Sequence, residues 1–422
     1  MPQMSWSLEP PKTYTKNIQH LNPKSQKELP VRTMMDSYST AILPLAEDVS
    51  LRDYYILSDK KIRFGRLLED LDTFAVWIGY KHNQKRAGLE PGKIPFNMVT
   101  ALVDKITLAD YSITTDRNIK FSGMTTWVGT TSMEITMKIE QMAQPLVNSQ
   151  STKSSSNTSQ EWCHVLETKF LMVARDRSDP ARISVFVNPL PPFAKAVESS
   201  SPSSHLPMTK DEEHLFGQGA LNHALRRAAA SRTLLKMAPS AEEREIMHQL
   251  FSETIDPLAG TFKHRFLPHR SRWMHDTLVK TVIICHPQER NLNNTIFGGF
   301  LMRQAYELGW VTAFSFMRIR PKILRVDDVV FKQSVSIGSI LYLSGQVVYT
   351  SGKNVMVKVH SEMKNMETGN LSTCNIMHFL FQPSNIPLND HILIPEDLPP
   401  RVIPQSYSEM MLYIMGKRHF IL

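Results

Sequence analysis

The chain has 422 residues, too many for one compact core, and at roughly 100–200 residues per domain it divides into about two or three. Its 42% hydrophobic and 21% charged residues exclude wholesale disorder and fibrous repeats, and no apolar run reaches the about 18 residues of a membrane-spanning helix. The 48 Lys and Arg exceed the 40 Asp and Glu by 8, which favours anionic partners without choosing among nucleic acid, acidic lipid and phosphate-bearing molecules.

Residues 1–32 read as an extended leader, broken by Pro10, Pro11, Pro23 and Pro30. No Arg precedes Arg32, so the leader is at best a weak transit peptide, and it has no apolar run of the secretory kind. A first domain is expected over 33–195, opening with a strand at Tyr38 to Leu43 and a helix from Phe64. On that helix Leu67, Leu68, Leu71, Phe74, Ala75 and Ile78 form the apolar side. Asp72 borders it, whereas Glu69 and Asp70 are expected to point away. Ser149 to Gln160 is a polar insertion that reads as a hairpin tip.

Residues 196–270 read as a linker with helices, opened by the serine-rich Glu198 to His205. Ser240 and Glu243 have capping-box spacing, Ile246, Met247, Leu250 and Phe251 supply an apolar face, and Asp256-Pro257 would end that helix. A second domain is expected over 271–385, with a strand at Leu278 to Cys285 and a helix from Gly299 to about Phe316 that is apolar nearly all round. Residues 386–422 form a tail. Cys163, Cys285 and Cys374 are too few and scattered for a disulfide framework or a metal knuckle, and His286, His360 and His378 read as packing residues.

The two domains repeat one another. Ile119 to Glu140 aligns without a gap to Leu341 to Glu362, with Ser122-Gly123 on Ser344-Gly345 and alternating apolar residues on both sides of a turn. Leu102-Val103-Asp104 matches Arg325-Val326-Asp327, and the stretch from Phe64-Gly65 matches that from Phe297-Gly298. Each half therefore predicts a strand, a buried helix and several antiparallel strands. The fold class is α+β: two tandem hotdog domains, each a curved antiparallel sheet wrapped around a central helix.

The blocks Arg63 to Val76, Ala101 to Ile106, Ile119 to Gly123, Leu234 to Arg244 and Cys285 to Trp310 resemble the mitochondrial double-hotdog acyl-CoA thioesterases, and the likeness runs from about Asp36 to Phe420. The resemblance implies hydrolysis of fatty acyl-CoA to free fatty acid and CoA, a mitochondrial location in the matrix, and a homo-oligomer of double-hotdog chains. It implies no cofactor, since CoA is part of substrate and product, and no metal, nucleic-acid or integral-membrane partner.

Thioester hydrolysis needs a base or carboxylate nucleophile and donors for the developing oxyanion. The chain has no G-x-S-x-G elbow, which leaves a carboxylate. In other hotdog thioesterases the acid lies seven residues after the last turn glycine. From Gly65 that is Asp72; from Gly299 it is Tyr306, although the ungapped repeat alignment sets Asp72 against Ala305. The second half instead carries Asn294 and Gly298-Gly299, whose helix-start N–H groups suit a polarised oxygen. One composite site is expected from Asp72, Asn294 and Gly299, with Gly298 and Lys353 as substrate-binding candidates. A hotdog hydratase, or a non-enzymatic acyl-CoA- or RNA-binding protein, is the alternative. The hydratase would want a His at the helix entrance, and neither helix has one there.

Overall fold

The computed structural model describes residues 25–84, 96–109, 113–143, 161–176, 185–191, 209–231, 233–256, 258, 261–291, 294–384 and 398–421. Both serine-rich spacers and most of the leader lie outside them. The first half holds α1 (Met34–Ser37), β1 (Ser39–Leu43), α2 (Val49–Tyr55), α3 (Phe64–His82), β2 (Phe96–Val103), β3 (Ile106–Leu108), β4 (Ile119–Val128), β5 (Ser132–Met142) and β6 (Trp162–Asp176). Helices α4 (Lys210–Ser231) and α5 (Ala241–Ser252) and the short strand β7 (Ser271–Trp273) follow. The second half holds β8 (Val279–Ile284), α6 (Gly298–Met317), β9 (Pro321–Phe331), β10 (Ile340–Ser351), β11 (Asn354–Lys364) and β12 (Leu371–Pro383), and then β13 (Arg401–Ile403) and α7 (Tyr407–Ile421).

Eleven strands form one sheet in the order β1-β4-β5-β6-β2-β9-β12-β11-β10-β8, with β3 pairing β6 and β9. Read inward from either edge, the order is the same. The halves meet where Val103 faces Val329 and Ile106 faces Val326. Val326 and Val329 are the repeat counterparts of Val103 and Ile106, so the junction is self-complementary, as across a two-fold axis. The ladder irregularities recur too: one lies between Thr125 and Trp127, its counterpart between Val347 and Tyr349.

Each half of the sheet packs on one buried helix. On α3, Leu67, Leu71, Ala75 and Ile78 are fully buried; on α6, Phe300, Leu301, Ala305 and Phe316 are buried. The matched Ser-Gly glycines mark where helix meets sheet. A Cβ on Gly123 would lie 3.0 Å from Ile78 Cδ1, and one on Gly345 would overlap the Thr312 side chain. The capping box forms as expected: the Ser240 hydroxyl accepts from the Glu243 N–H, and Glu243 accepts from the Ser240 N–H. Helix α5 nevertheless stops at Ser252, short of Asp256-Pro257.

Candidate functional site

Helices α3 and α6 lie against one another at two glycines. A Cβ on Gly299 would come within 2.9 Å of Glu69 Cα, and one on Gly65 within 3.2 Å of Arg303 Cγ. This close approach carries Asp72 of α3 to the start of α6. No side chain of α6 caps its own N-terminus. Instead the Gly299 N–H donates to the Asp72 carboxylate, and a Cβ on Gly298 would stand 2.9 Å from Asp72 Oδ2. From β2, the Thr100 hydroxyl donates to Asp72 Oδ1 at 2.5 Å.

Asp72 is only 1% exposed. Burial pushes its pKa up to about 6, overriding the two hydrogen bonds that favour the charged form, and nearby Glu69 adds to the rise. A carboxylate of that kind is ionised at neutral pH yet more basic than a solvated one. The helix start supplies N–H groups aimed at negative charge. A buried carboxylate and helix-start N–H donors therefore stand together, one from each half of the chain.

The remaining sequence candidates are placed differently. Asn294 sits in an exposed turn at φ 55°. Its backbone N–H donates to the Asn291 carbonyl at 3.2 Å, and its side-chain amide has no hydrogen-bond partner among the described residues. Lys353 is exposed at the tip between β10 and β11, beside Gly352 at φ 55°. The structure thus brings Asp72, Gly298 and Gly299 together and leaves Asn294 and Lys353 on the surface.

Three features differ from the sequence reading. Glu69 and Asp70 do not point into solvent. Glu69 is ion-paired to Arg66 at 2.7 Å and to Arg303 of α6 at 3.0 Å. Asp70 accepts from the Tyr55 hydroxyl at 2.8 Å, and burial pushes its pKa to about 6 as well. A helical wheel holds one helix, so it cannot show that α2 and α6 cover this face. Thr100 was the residue that pattern reasoning passed over; its signal is a lone hydroxyl in the apolar run Phe96 to Val103, set against Ile323 in the other half.

The register between the two helices is also resolved. The helices start at Phe64 and Gly298, and the turns before them place Lys60 at φ 63° where Asn294 has φ 55°. Gly65 therefore corresponds to Gly299, and Asp72 to Tyr306 rather than Ala305. Tyr306 is buried among Phe64, Phe379 and Phe381, with ring centroids 5.3, 5.9 and 6.2 Å away. The counterpart of the Asp72–Thr100 pair is thus Tyr306–Ile323, with no carboxylate.

No family model matches the chain. It is 42% identical to the mitochondrial acyl-coenzyme A thioesterase 9 of Mus musculus, over 94% of this chain and 80% of that protein. The Homo sapiens protein of the same name gives 42% over the same shares. The mitochondrial acyl-coenzyme A thioesterase 4 of Humulus lupulus is 29% identical over 90% of this chain and 66% of its own length. Among solved structures, an acyl-CoA hydrolase from Staphylococcus aureus in complex with butyryl coenzyme A is 20% identical, covers 36% of this chain and 88% of its own, and has a TM-score of 0.32. On the identity and coverage of the thioesterase 9 relatives, the chain belongs to the acyl-coenzyme A thioesterase 9 family of thioester hydrolases.

Proposed function

We propose that this acyl-CoA thioesterase folds as two tandem hotdog domains and hydrolyses fatty acyl-CoA at one composite site between them. The observation that carries the reading is the Asp72 carboxylate of α3 held against the Gly298–Gly299 start of α6. Asp72 takes a proton from water as the water oxygen bonds to the thioester carbonyl carbon. The first-turn N–H of Gly299 stabilises the oxyanion, in the place where it now holds the carboxylate. Collapse of the tetrahedral intermediate breaks the C–S bond, and the CoA thiolate, with a pKa of about 8.5, leaves without a strong acid. The Asp72 proton then passes to the thiolate or to solvent. Thr100 is the positioning residue: its hydroxyl fixes Oδ1 and leaves Oδ2 toward the α6 start. Asn294, at the entrance turn, orients water or the carbonyl once substrate orders its amide. Lys353 is a candidate for the CoA phosphates.

The chemistry calls on no metal or organic cofactor. The mitochondrial names of the relatives support a mitochondrial location; a matrix address, with the leader as transit segment, is the finer part of this reading. The exposed apolar residues Val282 and Ile284 on the edge strand β8 support association of double-hotdog chains into a homo-oligomer. Free-thiol release from acyl-CoAs of graded chain length, with wild type beside Asp72→Asn, tests the site and defines the substrate. The variant is expected to lose roughly 10²-fold or more in rate. Hydrolysis within about threefold of wild type would overturn the assignment of Asp72.

A further inference from the structure

One cross-strand pair differs in kind between the two half-sheets. Ser361 faces Asn375 in the β11–β12 ladder, and the counterpart in the β5–β6 ladder is Ile139 facing Leu166. The match is fixed by the ladder irregularity that follows each pair, between Ser361 and Glu362 and between Ile139 and Glu140. Ile139 and Leu166 form a fully buried apolar pair. Ser361 and Asn375 are as deeply buried, at 1% and 0% exposure, yet polar. The Ser361 hydroxyl and both ends of the Asn375 amide have no hydrogen-bond partner among the described residues. Leaving such groups unpaired in a core is costly, and an apolar pair would have served for packing, as it does in the other half.

The pair lies on the face that α6 covers, next to the Asp72 site. A Cβ on Gly309 of α6 would meet Phe379 at 3.0 Å and Val359 at 3.5 Å. Ser361 is two residues past Val359, and Asn375 is two residues before Met377, the partner of Val359, so both keep that face. Asn375 also stands opposite Phe331 of β9. The Phe331 ring lies 3.5 Å from where a Cβ on Gly298 would be, and that Cβ would be 2.9 Å from Asp72 Oδ2. Phe331, Asn375 and Ser361 therefore form a row across three strands, about 4.8 Å apart, that leads inward from the Asp72 carboxylate. Side chains along this row are also smaller than their counterparts. Ser361 replaces Ile139, and Ala305, one helical turn before Gly309, replaces Leu71 of α3.

We propose that Ser361 and Asn375 form a polar acyl subsite, which makes acyl-CoAs with an uncharged hydroxyl or oxo group a few carbons from the thioester the preferred substrates. The subsite rests on the composite-site reading, which sets the thioester carbonyl beside Asp72 and Gly299, so that the acyl chain passes Phe331 and meets the pair. Hydroxyl and amide can each donate and accept, so a substrate hydroxyl or carbonyl oxygen finds its complement. Neither residue supplies the positive charge that a buried substrate carboxylate would need. A plain alkyl chain leaves all three polar atoms unpaired and is disfavoured in the transition state, as at other sites built around a substrate's polar group.

The test compares kcat/KM for hexanoyl-CoA, 3-hydroxyhexanoyl-CoA and 5-oxohexanoyl-CoA, read as free-thiol release. Wild type should hydrolyse at least one of the two polar substrates about tenfold better than hexanoyl-CoA. The double variant Ser361→Ala/Asn375→Leu keeps the Asn375 side chain's size without its amide and should bring that ratio to about one. Ser361→Ala alone removes a single hydroxyl, so it covers the case in which the double variant misfolds; it should lower the ratio by about threefold or more. A wild type that prefers hexanoyl-CoA to both polar substrates overturns the proposal. So does a ratio that stays within about twofold of wild type in Ser361→Ala and in the folded double variant, in which case the three atoms serve buried water only. Failure of the composite-site reading is seen separately, as hexanoyl-CoA hydrolysis surviving in Asp72→Asn, and leaves the substrate ratio to be read on its own.

Discussion

Asp72→Asn should make the protein more stable while it disables hydrolysis. Burial holds the Asp72 pKa at about 6 against an ordinary value of 3.8. Between those values the folded state binds a proton that the unfolded state has lost. Its contribution to stability is therefore complete below the unfolded pKa and is lost as pH rises through about 6. A gap of about two units at about 1.4 kcal/mol each makes ionised Asp72 a destabilising group by about 3 kcal/mol at neutral pH. Asparagine removes the charge yet can still accept from Thr100 or the Gly299 N–H, so most of that energy should return. The assay is the apparent melting temperature of both proteins from pH 4.5 to 8. The variant should gain several degrees at pH 7.5, and the gain should shrink toward zero at the acid end. Asp70 also titrates near 6, but it is common to both proteins and cancels in the difference. A variant less stable than wild type at pH 7.5 would refute the reasoning, because it would mean that Asp72 is held by a favourable charge pairing and not by burial.

Three further outcomes follow from the same geometry. Thr100→Val removes a donor that lowers the Asp72 pKa, so the acid limb of kcat/KM should move above its wild-type position; an unmoved limb in the pH–rate profile would detach Thr100 from Asp72. Gly299→Ala sets a Cβ 2.9 Å from Glu69 Cα and 3.0 Å from its carbonyl oxygen, so α3 and α6 must part; thermal unfolding and thiol release should both fall, by about 1–3 kcal/mol in stability, whereas Gly217→Ala, with open space around it, should cost nothing. Arg226 of α4 pairs with Asp104 at 3.0 Å and with Glu134, whose side chain is almost fully buried; Arg226→Ala should cost about 3–5 kcal/mol and speed limited proteolysis within α4, and unchanged proteolysis would mean that this cluster does not hold the helix.

Much of the architecture was legible because repetition amplifies a weak signal. One Ser-Gly in a strand means little, but the same pair at Gly123 and Gly345, each under its helix, reports a packing constraint twice over. Asp72 and Gly299 were legible as partners because each half lacked what the other kept. The register between the helices was not. Phe64-Gly65 and Phe297-Gly298 match as letters, yet the helices begin at Phe64 and Gly298, and backbone geometry decides that Tyr306 answers Asp72. Asp70 was misread for a different reason. Its burial comes from Tyr55 on a neighbouring helix, and no periodicity within α3 contains that contact. Thr100 escaped because a single hydroxyl in a strand is ordinary until a carboxylate is found at its side.

The divergence of the two half-sites has an energetic logic. If both half-sites held a buried Asp in this setting, the chain would carry the cost of about 3 kcal/mol twice, a large share of the 5–15 kcal/mol that a folded domain has in total. Replacing one Asp by Tyr306 turns a charged burial into aromatic packing against Phe64, Phe379 and Phe381. Replacing the matching Thr by Ile323 removes a hydroxyl that would have no carboxylate to serve. In a true homodimer such changes would strike both sites at once and end catalysis. With the halves joined in one chain they fall on one site only, so stability can be recovered there while Asp72, Thr100 and Gly299 stay together at the other. Tyr306→Asp should then cost stability at neutral pH, and without a hydroxyl at position 323 it should restore no hydrolysis to an Asp72→Asn chain. Thiol release from that double variant at the wild-type rate would show that position 323 does not matter and that Tyr306 alone accounts for the silent half-site.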